Sequence, residues 1–533
     1  MATATINPAR AASLTPDAQD HVSLKTWICV LGVLLGCFMA VLDIIITNSS
    51  LRDIAGTLSA SSDEISWVPT AYLVAEIVTI PLSSWLSAAF SLKRYLLVNS
   101  ILFVFFSVCC GQAHSLELMI LFRVLQGFTG GVLIPLSFVV ILTYLPPSKH
   151  PIGMALFSVT ATFAPAIGPL IGGWLTDNYG WPFVFYINII PGALLIAAVW
   201  FTMEKQPMNL SLVKKGDWWG ILTMAIGLAA FEIVLEDGNR KDWFGDPGIV
   251  KLAWTAAIFI PVFIIIELRK KEPLVDLRLF ARRNFRFGSI INVILGIGLY
   301  GVVFILPLYL GQIHGYDATQ IGTVIIWLGL PQLIVIPLIP QLMKFVDSRI
   351  IIGTGILLFG GSAFLDIHLD SNFAGPQFYI PLIIRAVGQP LIMTPLSAVT
   401  TAGMAEGRES GAASSLFNMM RNIGGSIGIA GLSTLLSVRE RFHSERIGES
   451  VTVYSVALRE RLQQSTTYFQ SQGSDPYSAN MRAIGAIGGA VQRQAFLLAY
   501  GDCFLILGCV LLASAVATFF MKRTKISGPV EGH

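Results

Sequence analysis

The chain has 533 residues, 54% of them hydrophobic and only 13% charged, with a mean hydropathy of +0.70 and a formal net charge of +3. Soluble domains carry about 25% charged residues, so a string of soluble domains is excluded and a chain crossing a membrane many times is indicated. The small net charge identifies no partner; what matters is which loops hold the basic residues.

The first 24 residues form a polar tail without a cleavable signal pattern. The apolar run from Trp27 is expected to direct insertion and stay in the membrane. A membrane-crossing helix needs roughly 20 mainly apolar residues. Fourteen segments fit, centred on 27–47, 65–87, 95–113, 117–143, 152–175, 182–203, 217–236, 249–268, 285–311, 318–343, 350–367, 377–401, 409–437 and 496–521. An even number places both termini on one side. On that side fall 21 of the 35 Lys and Arg residues, against four in the short opposite loops. The positive-inside rule therefore predicts two cytoplasmic termini in a multi-pass plasma (inner) membrane protein. The six cysteines lie in apolar runs without a C-x-x-C pair and read as small buried hydrophobes. Loop 438–495 is the one sizeable polar segment. Its "VTVYSVALRERLQQSTTYFQSQ" has helical spacing and predicts a partly helical outer cap, either a docking surface or a solvated linker.

Three matches recur at nearly one offset. "PLSSWLSAAFSLKR" from Pro81 pairs with "PLIPQLMKFVDSR" from Pro337; Arg123 and "IPLSFV" pair with Arg385 and "TPLSAV"; "LFSVTATFAPAIGP" from Leu156 pairs with "LFNMMRNIGGSIGI" from Leu416. Six spans occupy about 180 residues, so an offset near 260 leaves room for two inserted spans. The predicted fold is all-α and polytopic: a tail (1–24), a six-helix bundle (25–204), an inserted pair (205–284), a second six-helix bundle with the outer loop (285–521), and a tail (522–533). Parallel six-helix repeats with a central site describe a major class of secondary transporters.

These motifs resemble the major facilitator superfamily, and more narrowly the EmrB/QacA-type fourteen-helix drug:proton antiporters, on the EmrB side. The resemblance runs along nearly the whole chain through "LDIIITNSSL", "FRVLQGFTGGVLIPLS", "APAIGPLIGGWLTDNYGW", "FYINIIPG" and "EDGNRKDWF". It implies export of small amphipathic drugs in exchange for protons, alongside a periplasmic adaptor and an outer-membrane channel. One departure stands out. The loop after the second span reads "SSWLSAAFSLKR", without the family's glycines and acid and with only Lys93 and Arg94 kept, whereas the second copy keeps Lys344, Asp347 and Arg349. A charge latch is thus expected in the second half rather than the first.

Charged groups within spans are the best functional pointers, since each costs about 2.5–3.5 kcal/mol at mid-helix on insertion scales. Asp43, expected near the outer end of the first span, is a candidate proton carrier, because a carboxyl losing water there can exchange a proton near neutral pH. Arg123 stays charged and cannot carry the proton, but it can bias a neighbouring acid. Glu76, the other mid-span acid of the first half, is a second candidate for proton coupling or for meeting cationic substrates, the alternative being a hydrogen bond to a neighbouring helix. Asn48, Gln126, Asn418 and Arg421 are candidate substrate contacts. Arg385 repeats Arg123 and is expected to stabilise the second bundle. Glu232 and Glu236 belong to the inserted seventh span and are expected to be structural if that pair packs outside both bundles. Ala164, Pro165, Gly168, Pro169, Gly172 and Gly173 resemble the antiporter signature G-x-x-x-G-P-x-x-G-G, with Ala164 at the first glycine. Such a helix facing the other bundle would form a pliable seal. Gly168 and Gly172 are four apart, which permits close helix approach.

The chain contains no G-x-x-x-x-G-K-[ST] loop, and its seven histidines are scattered. Neither a cofactor nor a metal is expected, nor enzyme activity or nucleic-acid binding; an ion gradient is the expected energy source. The leading function is proton-coupled multidrug efflux by alternating access. The alternatives are a dedicated metabolite exporter or uptake symporter of the same fold, and a non-transporting membrane scaffold or receptor.

Overall fold

The computed structural model describes residues 22–214, 216–270, 273–402, 404, 408–452 and 454–523, so the expected terminal tails lie almost wholly outside the described residues. Among the described residues all regular structure is helical. The main helices are α1 (Leu24–Ile46), α2 (Trp67–Phe90), α3 (Leu92–Gly111), α4 (Leu116–Gly130, continuing as Leu133–Tyr144), α5 (His150–Tyr179), α6 (Ile189–Thr202), α7 (Trp218–Gly238) and α8 (Pro247–Arg269). They are followed by α9 (Arg283–His314), α10 (Ala318–Val335), α11 (Ser348–Ser362), α12 (Tyr379–Thr401), α13 (Arg408–Gly448), α14 (Val456–Ser471) and α15 (Pro476–Ala513).

Side-chain acceptors fix many helix starts where the chain re-enters apolar sequence. Ser23, Ser115, Asp217, Asp246, Asp317 and Asp475 each accept a bond from a backbone N–H of the first turn. Pro247 and Pro476 follow two of these caps, where proline's missing N–H costs nothing.

Twelve described helical stretches are long and apolar enough to cross a membrane, and thirteen when the two bent parts of α5 count as one span. The thirteenth expected span, α13, fails that measure because Asn418, Arg421, Asn422 and Ser426 interrupt its apolar residues. By length and composition alone the described residues thus give thirteen spans, which leaves the expected count of fourteen unconfirmed. The polarity is explained by position: α13 is packed between α9, α2 and α15 rather than set against lipid. The opposite extreme is α8, where only 17% of the apolar window is buried and Trp254 and Ile258 lie exposed. An exposed apolar helix of that length is stable only in a bilayer.

Two groups of helices pack within themselves. In one, α1 contacts α4, α5 and α6, and α2 contacts α3 and α4; in the other, α9 contacts α12, α13 and α15, and α11 contacts α12 and α15. The groups meet through α5 with α10 and through α13 with α2 and α4. The inserted α7–α8 hairpin does not stand apart. Its first helix packs on α2 of one group and α13 of the other. Its loop, "EDGNRKDWF", is tied to α13 by Asn239 donating to Ser433 at 2.8 Å and Trp243 Nε1 donating to Thr434 at 3.0 Å. Lys270 clamps the hairpin's other end to Asp217 at 2.7 Å.

The polar loop 438–495 is more helical than expected. Helix α13 runs on to Gly448, α14 follows, and α15 begins at Pro476, twenty residues before the expected last span. The polar start of α15 escapes a hydropathy reading, but Asp475 caps it and α14 packs on it.

Both copies of the loop after the second repeat helix hold the last helix of their own half. Lys93 Nζ donates to the carbonyls of Trp200 (2.7 Å) and Met203 (2.6 Å) at the end of α6, neutralising the negative helix end. In the second copy, Asp347 caps α11, pairs with Arg349 at 3.0 Å and with Arg523 at 3.2 Å, and Arg349 donates to Met521 O. The Arg349 side-chain hydrogen bond holds the Asp347 carboxyl below its ordinary range. The missing acid of the first copy is thus replaced by backbone carbonyls.

Helix α5 bends by 44° between its segments Pro147–Pro165 and Ile167–Tyr179. Pro165 and Pro169 remove two ladder hydrogen bonds there, which is sufficient cause for a sharp kink.

Candidate functional site

Asp43 was expected near the outer end of the first span. Instead, α1 continues through the turn Thr47–Ser50 into a short helix, Leu51–Leu58, so Asp43 lies inside a 35-residue helical run and is fully buried. Around it the first group converges its polar side chains. Arg123 from α4 forms an ion pair with Oδ2. Gln126 Nε2 donates to Oδ1 at 3.0 Å, and Asn188 Nδ2, at the start of α6, donates to the same oxygen at 2.8 Å. Ser107 of α3 accepts from both amides, at 3.1 and 2.9 Å, and donates to Phe185 O.

Arg123 is held through Nε and Nη1, while its buried Nη2 has no hydrogen-bond partner. It donates to Val68 O at 3.1 Å and to Gln126 Oε1 at 2.9 Å, and its guanidinium lies 4.4 Å from the centre of the Tyr72 ring. A carboxylate with several charge-assisted bonds and a bidentate-capable cation is held tightly, and removing either charge leaves the other stranded in a dry interior. Asn188 and Ser107 complete the cluster but were not singled out in the sequence. Asn188 had a signal, lying in the motif "FYINIIPG"; Ser107, alone in an apolar run, had none.

The second group builds a similar pair from different helices. Arg385 bonds to Asp366, in the helical turn Ala363–Asp366 that follows α11, and to Ser362 at 3.0 Å. At the offset of 260 from Asp43 stands Val303, so the repeat has kept the arginine and moved the acid. This pair joins α11 and α12 within one group.

Between the groups lies a cavity of about 160 Å³. Asn48 and Glu76 reach it from the first group, Tyr300, Asn422 and Ser426 from the second, and Glu232 and Glu236 from α7. The condition on which the two α7 acids were expected to be structural is not met, because α7 forms a wall of the cavity instead of packing outside both groups. Glu76 Oε1 accepts from Asn422 Nδ2 at 3.4 Å, a contact crossing from α2 to α13. Tyr72, which stacks on Arg123, lies one helical turn before Glu76, while Ile44 and Ile45 next to Asp43 also line the cavity. The buried ion pair is thus one residue or one turn from the cavity on two helices.

The remaining candidates separate. Gln126 belongs to the Asp43 cluster. Arg421 and Asn418 bond to each other at 3.1 Å, with the Arg421 guanidinium 5.9 Å from the Phe157 ring of α5; neither lines the cavity. In the signature helix, Gly168 and Gly172 face α1 of their own group: a Cβ at 168 would lie 3.1 Å from Ile45 Cγ2, and one at 172 would lie 2.8 Å from Ile46 O. Ala164, Pro165 and Pro169 are buried in the same helix. Of the three glycines, only Gly173 meets the other group, where a Cβ would lie 2.6 Å from Ala318 Cβ. Gly322 of α10 answers it, against the backbone of Leu170.

Residues 33–429 match the model of the Major Facilitator Superfamily. The chain belongs to the major facilitator superfamily. Among its superfamily relatives, the colistin resistance protein EmrB of Acinetobacter baumannii is 32% identical over 512 residues, covering 96% of this chain and 99% of the relative. The multidrug export protein EmrB of Escherichia coli K12 is 30% identical over 498 residues, covering 93% and 95%. A solved bacterial homologue of the human lysosomal transporter Spinster, inward-facing and unoccupied, superposes with a TM-score of 0.55 at 16% identity over 94% of this chain and 98% of its own. At that identity the likeness speaks for the superfamily fold alone.

Proposed function

We propose that this chain is a proton-coupled multidrug efflux transporter, not an enzyme, working by alternating access in the inner membrane with both termini cytoplasmic. The names of the relatives, a multidrug exporter and a colistin resistance protein, support drug export. The observation that carries the coupling is the four-helix cluster on Asp43, one residue from a cavity between two helix groups. The groups correspond to the six-helix bundles 25–204 and 285–521, with 205–284 as the inserted pair and α13 as the remaining span.

In this reading a proton reaching Asp43 cancels its charge and releases Arg123. The proton then shifts the population only as far as its affinity differs between the inward- and outward-open states. Drug and proton compete for one transporter rather than for one atom. The decisive measurement is efflux of a dye and drug panel from proteoliposomes, with and without an imposed proton gradient. Drug movement opposite to the protons is expected; movement with them would favour an uptake symporter, and a single accepted compound would favour a dedicated metabolite exporter. No driven flux of any compound would return the chain to a scaffold or receptor.

The helical projection formed by the end of α13, α14 and the start of α15 is proposed to dock a periplasmic adaptor that leads to an outer-membrane channel. Its exposed Tyr454, Tyr468 and Tyr477 suit that use. Deleting residues 450–475 is expected to abolish co-purification with the adaptor while proteoliposome efflux continues; retained co-purification would remove the docking assignment.

A further inference from the structure

We infer that Asp217 and Glu267, where the two helices of the inserted α7–α8 hairpin meet, form a site that binds one proton between them and thereby fastens the linker from α8 to α9. That this site faces the cytoplasm rests on the topology proposed above; the proton site itself does not depend on transport.

Asp217 caps α7 and is 4% exposed, and Glu267, in the last turn of α8, is 1% exposed. Each carboxyl commits one oxygen to its neighbours. Asp217 Oδ1 accepts from Gly220 N at 2.8 Å and from Lys270 Nζ at 2.7 Å, while Glu267 Oε2 accepts from Val275 N at 3.2 Å. The other two oxygens, Asp217 Oδ2 and Glu267 Oε1, are buried without a hydrogen-bond partner. They converge on one place: a Cβ on Gly220 would lie 2.7 Å from the first and 2.8 Å from the second. Two bare carboxylate oxygens around one dry point repel each other, and a shared proton replaces the repulsion by a charge-assisted O–H···O bond. Lys270 offsets only one of the two negative charges. Among the described residues the other charged groups around the pair are committed elsewhere or turned outward. Arg278 donates to the carbonyls of Leu268 at 3.3 Å and Lys270 at 2.7 Å, and Asp276 accepts from Arg278 N at 3.2 Å. Arg269 and Lys214 are exposed. The adjoining end of α2 brings Trp85 against Trp218, with ring centres 6.0 Å apart, and no charge. A metal ion takes six or more oxygens, and among the described residues no three acidic, histidine or cysteine side chains gather closely enough to hold one.

What the proton fastens is the strap that Val275 begins. Pro273, Leu274 and Arg278 of this strap, Ser84 and Trp85 of α2, and Glu409 of α13 line a second cavity, of about 290 Å³. At the far end of the strap Arg282 pairs with Glu409, so the strap runs from the base of the hairpin to the second helix group. With the proton in place, Glu267 Oε1–H donates to Asp217 Oδ2, and Oε2 stays where it accepts from Val275. When the proton leaves for water, the two like charges push Glu267 out of the dry interior and its bond to Val275 is lost. Acid therefore tightens the strap and alkali loosens it.

The test is hydrogen–deuterium exchange of the purified full-length protein in detergent, read on the peptide that carries Val275 and corrected for the intrinsic pH dependence of exchange. Wild-type protection is expected to fall about tenfold or more as the pH rises from about 6 to about 9, a range in which buried carboxyls can lose their proton. Glu267→Gln keeps a hydrogen toward Asp217 and an acceptor toward Val275, so its protection is expected to stay constant over that range. Gly220→Ala sets a methyl group between the two oxygens and is expected to lower protection at every pH. Infrared difference spectra of wild type against Glu267→Gln are expected to show the carbonyl stretch of a protonated carboxylic acid that vanishes in alkali. Protection that does not change with pH in the wild type overturns the assignment without any variant having to fold. An equal fall in Glu267→Gln, or no carboxylic acid band in the difference spectrum, overturns it as well.

Discussion

Asp43→Asn is expected to abolish efflux driven by a proton gradient. Asparagine keeps the size of the side chain and the Oδ1 acceptor used by Gln126 and Asn188, but it cannot take up a proton, and it turns an amide toward Arg123 in place of a carboxylate. A buried charge robbed of its partner costs on the order of 3–5 kcal/mol. The transporter is then expected to settle in whichever conformation best hydrates Arg123. At about 1.4 kcal/mol per decade, the lower end of that cost already makes the disfavoured conformation on the order of 100-fold rarer, so a fall in driven rate of at least about 100-fold is expected. Thermal unfolding of the purified variant separates a trapped transporter from an unfolded one. A folded Asp43→Asn protein that pumps at the wild-type rate would remove Asp43 as the coupling acid, and Glu76 would be tested next.

The second large effect is expected at Gly173. A side chain there meets Ala318 Cβ at 2.6 Å and the backbone nitrogen of Thr319 at 3.1 Å, where α5 and α10 pack across the two groups. Thr319 also donates to Asp177 of α5 at 3.3 Å, so the contact is held at neighbouring points. Gly173→Leu inserts four carbons into this seam, and overpacking typically costs about 1–3 kcal/mol. Only the conformation in which the seam is closed bears that cost, so efflux is expected to fall roughly tenfold or more, at 1.4 kcal/mol per decade. The conformational effect is read by labelling Asn48→Cys with a membrane-impermeant maleimide. Labelling should rise in the Gly173→Leu background, and unchanged labelling with normal efflux would show that the seam does not gate the cavity. Gly168→Leu is a weaker probe of gating, because Gly168 packs on Ile45 within its own group.

The signature helix illustrates how far spacing reaches. Its prolines and glycines, read along one apolar run, marked a bent helix in close contact with neighbours. They could not say which glycine faces which neighbour, because α5 touches α1 on one side and α10 on the other. The same holds for Glu232 and Glu236. Their position in an inserted pair left open whether that pair packs outside both bundles, and nothing local records that the α7–α8 loop is tied to α13. Asn188 was within a quoted motif, yet an asparagine at a helix start is more often a cap than a ligand to a buried carboxylate.

Hydropathy, the repeat near 260 residues and the buried charges are properties of the chain itself. They set the membrane class, the doubled helical order and the pairing of attention on Asp43 and Arg123, because apolar length and the cost of a charge in lipid act locally on each segment. Which side chains meet was settled only by packing. Distances between helices depend on small residues and loop ties far apart in sequence. Tertiary structure alone moved Asp43 into the interior of a continuous helix, carried the repeat's second acid to Asp366, and turned an inserted hairpin into the wall of the central cavity.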